Sequence, residues 1–309
     1  MSAKEQPSEL DRSLESLFQS IREKEAARKK EETVAPPPPA PRPPRQSAQV
    51  IQLPLWPEPT RGTPNSFLRS ALFAAIQGKT RRYMKGEFLA AQKGVSVSFT
   101  GMQLDQSDLD VWQQAADIAK AHPLGNICHF RANSFLKSIN RSNGKANYKW
   151  LHEAINRLIA CAVEIRCGSK VFSGSLIHEC LRDEATGVYK LTLSPALLKL
   201  FGANDWTALE RQQREGLKGK PLALWLHGFY ASHAAPFPLK VETLQELSGS
   251  TTQRPRRFKE ALKAAFADLE AVTGRKATID GDLVTVESQP TKAQAKYLAT
   301  KPRKTKKQP

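Results

Sequence analysis

The strongest constraint on this chain is an order of elements that occurs twice. Leu109, Trp112, Ala116 and Ala119 recur at helical spacing and stop at His122-Pro123. A short strand, "NICHF", follows, then a short helix from Ser134 to Ile139 and the polar turn "NRSNGK". A longer helix, Tyr148 to Ala160, carries Leu151, Ile155 and Leu158 on its inner side. Three strand-like runs close the series: "CAVEIRC", "VFSGSLI" and "VYKLTL". The order then returns. Leu222, Trp225, Leu226 and Phe229 mark a helix ending near His233, "PFPLK" leads into the short helix "VETLQELS", and Gly249-Ser250 turn into a longer helix. "KATIDGDLVTVE" reads as a hairpin, with Asp280-Gly281 supplying its positive-φ turn residues. Two helices at a sharp turn, backed by a small sheet, make a helix-turn-helix with a strand wing. The expected fold class is therefore α+β, with tandem winged-helix domains.

The second long helix spans "TTQRPRRFKEALKAAFADLEAV". Stepping from Phe258, residues Leu262, Ala265, Phe266, Leu269 and Val272 fall on one side and form the buried stripe. Arg256, Lys259 and Lys263 fall on the other, with Glu260 among them. Thr251 or Thr252 is expected to cap the start, Pro255 fits only in the first turn, and Thr273-Gly274 ends the helix. A solvated basic face would look the same on any helix. Its place in the repeated order is what makes it a recognition helix.

Charge points the same way. The 309 residues hold 47 Lys and Arg against 30 Asp and Glu, a net +17. Such an excess suggests a polyanionic partner, nucleic acid or an anionic surface. No apolar run is long enough to span a bilayer, and the N-terminus lacks the apolar core of a signal peptide. The expectation is a cytoplasmic protein with no membrane partner. Cys128, Cys161, Cys167 and Cys180 form no CxxC pair and are expected to be reduced and mostly buried.

The flanks differ from the middle. Leu10, Leu14, Leu17, Phe18 and Ile21 trace a short amphipathic helix, followed by "REKEAARKKEE" and the polyproline spacer "APPPPAPRPP". In "VIQLPLWPEP", Ile51, Leu53, Leu55 and Trp56 are expected to stand exposed as a linear peptide for a partner's pocket; folding back onto the first domain is the alternative. After Glu287 the chain has no acid, and Lys292, Lys296, Lys301, Arg303, Lys304, Lys306 and Lys307 make a basic arm expected to be disordered. The resulting division is 1–60 as a disordered, Pro-rich region, 61–218 and 219–290 as winged-helix domains, and 291–309 as the basic tail.

Catalytic motifs fail on their own chemistry. "QGKT" resembles the end of a phosphate-binding loop, but Phe73 stands where its first glycine must be. "HEAIN" carries Asn156 in place of the second histidine of a zinc-protease helix. His129 beside Cys128 has no partner pair at ligand spacing, and His227 and His233 read as packing or surface residues. No catalytic residue, cofactor or metal site is expected.

Arginine reads guanine edges bidentately, whereas lysine mostly holds phosphates. Arg254, Arg256 and Arg257, at the helix start, are the expected base readers of the second unit. Lys259, Lys263 and the wing residue Lys276 are assigned to phosphate. In the first unit the candidates are Arg141, Lys145, Asn147 and Lys149.

Several blocks carry a family resemblance: "LPLWPEPTRGTPNSFLRSALF", "VSVSFTG", "DVWQQAADIAKAHPLG", "LTLSPALLKLFG" and "SHAAPFPLKVETLQELSGS". In this order they resemble the TrfA-type plasmid replication initiators, from about residue 50 to 290. The resemblance implies binding to direct repeats (iterons) of double-stranded DNA at a plasmid origin. It also implies opening of an AT-rich region and recruitment of the host sliding clamp, host initiator and replicative helicase. Monomer and homodimer both remain open. Family members carry a clamp-binding pentapeptide of the form Gln-Leu-x-Leu-aromatic, matched here by Gln52, Leu53, Pro54, Leu55 and Trp56. Two other readings share these features: a winged-helix transcriptional regulator or autorepressor, and a protein-binding scaffold whose binding would not fall steeply with salt.

Overall fold

The structure, a computed structural model, describes residues 16, 19–27, 53–77, 81–122, 125–202 and 205–300. The chain divides into two compact units, residues 1–49 and 50–309. In the first, the described residues are helical and exposed. Leu10, Leu14, Leu17, Phe18, the polyproline spacer, Ile51, Gln52, the Gly78–Thr80 part of "QGKT" and the lysines and arginine beyond residue 300 lie outside the described residues.

The second unit begins with β1 (Thr60–Pro64), α1 (Asn65–Leu68), β2 (Phe73–Ala74), β3 (Tyr83–Leu89), β4 (Val95–Met102) and β5 (Leu104–Asp105). There follow α2 (Gln106–Lys120), β6 (Ile127–Arg131), α3 (Ala132–Ser138), α4 (Lys145–Ile159), β7 (Ala162–Cys167), β8 (Lys170–Gly174), β9 (Glu179–Asp183) and β10 (Val188–Thr192). α5 (Pro195–Leu198), β11 (Trp206–Glu210) and α6 (Arg211–Gly216) lead to α7 (Pro221–Ala231), β12 (Leu239–Lys240), α8 (Val241–Leu247) and α9 (Pro255–Thr273). β13 (Ala277–Asp280), β14 (Leu283–Val286) and α10 (Lys292–Thr300) complete the described chain. The architecture is mixed α+β.

Two three-stranded antiparallel sheets have the same relative order, β6-β10-β9 and β12-β14-β13. Each central strand is the last of its trio in sequence. The helices before and between the strands also correspond, α2, α3 and α4 to α7, α8 and α9. One expectation needs correction here. The runs "CAVEIRC" and "VFSGSLI" do not join the strand that follows them. Instead β7 and β8 complete a four-stranded sheet, β3-β4-β7-β8, with Ile165 opposite Val97 and Val163 opposite Phe99. Alternation marks a strand locally and says nothing of its partner.

Burial explains why the helices stand where they do. One apolar cluster joins Phe67, Leu109, Trp112, Phe135, Leu151, Ile155, Leu158 and Leu191. Trp112 packs edge-on against Phe67 with ring centroids 4.9 Å apart, and its Nε1 donates to the Leu176 carbonyl at 3.1 Å. A second cluster joins Trp225, Phe229, Leu244, Phe258, Leu262, Phe266, Leu269 and Val284. α2 starts on a capping box: the Asp105 carboxylate accepts from Ser107 and Asp108 backbone N–H groups, and Asp108 accepts from Asp105 N–H at 3.1 Å. Arg81 bridges both carboxylates, and Arg157 reaches from α4 to Asp108 at 2.8 Å. That buried junction sets the angle of α4 against α2.

The two clusters meet through polar contacts as well. Arg69 donates through Nε to Ser232 Oγ at 3.0 Å and through Nη2 to the Ser232 carbonyl. Trp225 Nε1 donates to the Ser70 carbonyl, and Ala75 N–H to the Ser248 carbonyl. Arg214, buried, pairs with Asp110 at 2.8 Å. His233 bonds the Gln92 amide at 2.8 Å. The joint is therefore threaded with buried and half-buried hydrogen bonds, which resist reorientation because opening would leave polar groups unpaired.

Two smaller corrections concern ends and turns. The hairpin turn is Gly281-Asp282, and only Gly281 has positive φ (54°); Asp280 lies in the strand opposite Leu283. The basic tail is helical over Lys292–Thr300, where Gln294 Nε2 donates to the Ala231 carbonyl at 2.8 Å, so this part is not a disordered arm.

Candidate nucleic-acid interface

α9 buries Phe258, Leu262, Ala265, Phe266 and Leu269, the stripe its spacing predicts; Val272 is half-buried. Its start differs from expectation. Arg254 is the N-cap residue and makes no side-chain cap bond. Thr251 and Thr252 do not cap the helix. The Thr252 carbonyl instead accepts from Gln245 Nε2 at 2.6 Å, and its Oγ1 accepts from Ser250. Pro255 takes the first helical position, where its missing N–H costs nothing. The first turn thus presents N–H groups without a side-chain acceptor, ringed by exposed Arg254, Arg256 and Arg257. Dipole, orphan donors and arginines favour an anion at the same place.

The cations on and after α9 divide by environment. Arg256 is 94 % exposed at its side chain and only loosely paired with Glu260 at 3.6 Å. Lys263 and Lys276 are exposed. Lys259 is committed elsewhere: its ammonium donates to the Gly281 carbonyl and pairs with Asp282 at 3.3 Å, tying the hairpin turn to α9. Arg275 is buried and donates to the Glu287 and Gln289 carbonyls. Burial lowers its guanidinium pKa. It anchors the strand after α9 and does not face solvent.

Around α4 the four candidates separate. Lys145 and Lys149 point outward from α4, Lys149 beside Glu153 at 3.9 Å. Arg141 does not point outward. Its guanidinium lies 3.5 Å over the Trp150 ring, half-buried, and burial lowers its pKa. Asn147 donates to both the Ser142 carbonyl (2.8 Å) and hydroxyl (3.0 Å). Both residues brace the turn between α3 and α4, where Asn140 adopts φ 56°. The polar turn looked like a contact surface because sequence does not distinguish a polar residue that faces water from one that holds its own loop.

A recess lies beside α4. Tyr148 from the helix, Arg131 from the end of β6, Asn133 from α3, and Arg182 and Thr186 from the β9–β10 hairpin line it. Arg131, Arg182 and Lys190 are exposed, and Arg182 pairs with Glu184. The missing signal was strand pairing: these residues meet only once β6 lies against β10.

The apolar segment before β1 is also corrected. Leu53 is 2 % and Trp56 3 % exposed, both in the first core cluster, whereas Leu55 is 79 % exposed. They do not stand out together as a free peptide. Cys128 and Cys161 are buried and Cys167 and Cys180 half-buried, all four free. Burial raises the Cys161 thiol to about 11. Among the described residues no group of three or more His, Cys, Asp or Glu could hold a metal ion, and no helix is long and apolar enough to cross a membrane.

The family model described as "TrfA protein" matches residues 46–288. "Plasmid replication initiator protein TrfA" of Escherichia coli is 28 % identical over 239 residues, covering 73 % of this chain and 62 % of that protein. The chain therefore spans under two thirds of that relative's length. A crystal structure of domains 2 and 3 of RctB superimposes with a TM-score of 0.50 at 12 % identity, over 73 % of this chain and 98 % of that one, a likeness of fold alone. A structure of Pi initiator protein in complex with iteron DNA gives a TM-score of 0.42 at 15 % identity, over 58 % of this chain and 92 % of that chain.

Proposed function

We infer, from the premise that this chain belongs to the TrfA family, that it is a plasmid replication initiator that binds direct repeats in double-stranded DNA. The observation that carries this reading is the uncapped, arginine-ringed N-terminus of α9, set at the same point of a repeated helix-and-sheet order as α4. In this reading residues 61–218 and 219–290 are tandem winged-helix domains, and α4 and α9 enter successive major grooves. A major groove is wide enough to admit a helix, and its base edges are distinguishable.

The division of labour follows from burial. Arg254, Arg256 and Arg257 are free to reach base edges, and the helix N-terminus holds a phosphate between them. Lys263, Lys276, Lys145 and Lys149 hold phosphates. Lys259 keeps the hairpin turn against α9, so its contribution to binding is to hold the wing in place. Arg141 and Asn147 fix the angle at which α4 is presented. The bonded joint between these two domains keeps α4 and α9 at one separation, which favours a repeat of fixed length over random duplex.

Opening of an AT-rich segment needs no nucleotide site in this account. Several copies on adjacent repeats use binding energy to bend and strain the neighbouring duplex. Recruitment of host initiator, helicase and sliding clamp completes the proposed role, with Leu53, Leu55 and Trp56 of the pentapeptide as the clamp contact and Gln52 beside them. The test is binding of the full chain to tandem repeats from the DNA flanking its gene, against scrambled duplex at moderate salt, with maintenance of a plasmid carrying those repeats. Tighter binding to the repeats with plasmid maintenance is expected. Equal binding to both duplexes refutes the initiator reading, and repeat binding without maintenance leaves a regulator.

A further inference from the structure

The pentapeptide that would engage a clamp is already engaged. Trp56 stacks on Phe201 with centroids 5.8 Å apart and tilts against Trp206 at 6.0 Å. Its Nε1 donates to Asp117 Oδ1 at 2.8 Å. The Lys120 ammonium sits 4.9 Å from the ring centroid and also donates to the Trp56 carbonyl at 3.2 Å. Asp117 and Lys120 come from the last turn of α2 and pair with each other at 2.8 Å. The floor of this bed is the backbone of β1 at Gly62: a Cβ there would lie 2.3 Å from Trp56 Cε3. Only a glycine lets the indole lie so close.

The indole N–H and the carbonyl of this tryptophan are thus bonded, its ring is packed, and Leu53 is buried as well. One indole cannot fill two pockets. We propose that residues 53–56 form an internal latch, in which the fold occupies the clamp-binding peptide and clamp engagement requires Leu53 and Trp56 to leave their bed. This rests on reading the segment as a clamp-binding peptide. Leu55, exposed, is available for first contact. The apparent affinity of the full chain is the peptide's intrinsic affinity reduced by the fraction of chains with the latch open. The latch makes recruitment conditional: a chain releases the peptide only when something offsets the lost packing.

Gly62→Ala tests it directly, because real side chains do not tolerate so short a contact and the indole must move. Clamp affinity would be measured by surface plasmon resonance on the full chain, and NMR hydrogen exchange would follow the Trp56 indole N–H, which is held by Asp117. The expected result is faster exchange of that indole N–H and clamp binding tighter by about tenfold or more, with duplex binding unchanged. Leu55→Ala in the same background removes the gain. Lys120→Ala, which loses the cation over the ring without a steric clash, serves as a gentler second variant and gives a smaller rise in the same direction. If wild type and both variants bind the clamp equally, and Leu55→Ala abolishes all of it, the latch is refuted while the clamp reading stands. If the indole N–H is released and no clamp binds, the clamp reading falls and takes the latch with it. If the indole N–H stays protected in Gly62→Ala, the bed described here is wrong.

Discussion

Replacing Arg256 by alanine should separate reading of bases from holding of the duplex. In the free protein Arg256 contributes little: its side chain is 94 % exposed and its pairing with Glu260 is 3.6 Å long between exposed groups. An exposed helical pair of this kind is worth about 0.3–0.5 kcal/mol, and alanine is the better helix former. Thermal stability should therefore scarcely change. On DNA the loss is specific. One bidentate arginine–guanine contact is worth about 1–3 kcal/mol, or roughly 5- to 150-fold in affinity. That loss should appear on the cognate repeat and be much smaller on scrambled duplex. Lys263→Ala is the matched control, exposed on the same helix. It should weaken both duplexes alike and lower the slope of log K against log salt by about 0.9. Fluorescence anisotropy titrations at several salt concentrations read both quantities. Equal, small effects of Arg256→Ala on the two duplexes would refute the placement of the α9 N-terminus at base edges.

Arg141→Ala should behave as a structural variant: loss of the cation over Trp150 costs about 0.5–2 kcal/mol, seen as a Tm lower by several degrees with sequence preference retained; lost preference with unchanged Tm would return Arg141 to the bases. Acid should loosen the joint at α7. Burial, then the charge of nearby Arg69, holds His233 down to about 4, and burial, then Arg214, holds His227 down to about 3. Both are neutral when folded and take up a proton when unfolded below an ordinary pKa of about 6.5. Their contribution is whole above pH 6.5 and is lost as pH falls toward 4, about 2 kcal/mol for each at pH 5. Thermal melts from pH 7.5 to 4.5 should show this slope, and His233→Gln should flatten it; an unchanged slope removes His233 from the account.

Much of the architecture was legible from local pattern. The stripes on α2, α4 and α9 follow from helical periodicity, and the order of elements recurs because each set must bury one apolar face. The cationic start of α9 is simply a run of arginines at a helix N-terminus, and the ordered sequence blocks carried the family. Such features depend on residues a few positions apart, so the sequence by itself determined them. Tertiary structure decided the rest. It sent β7 and β8 to β3 and β4, and it built the recess of Arg131, Tyr148 and Arg182 from separate elements. It committed Lys259 to the hairpin turn, turned Arg141 onto Trp150, and buried Leu53 and Trp56 while leaving Leu55 in solvent. In each case the outcome depends on a partner distant in sequence: Trp56 finds Asp117 and Phe201, and Asp108 finds Arg157. A residue's type limits what it can bond. Whether that capacity faces water, DNA or the protein's own core is settled only when the chain has closed around it.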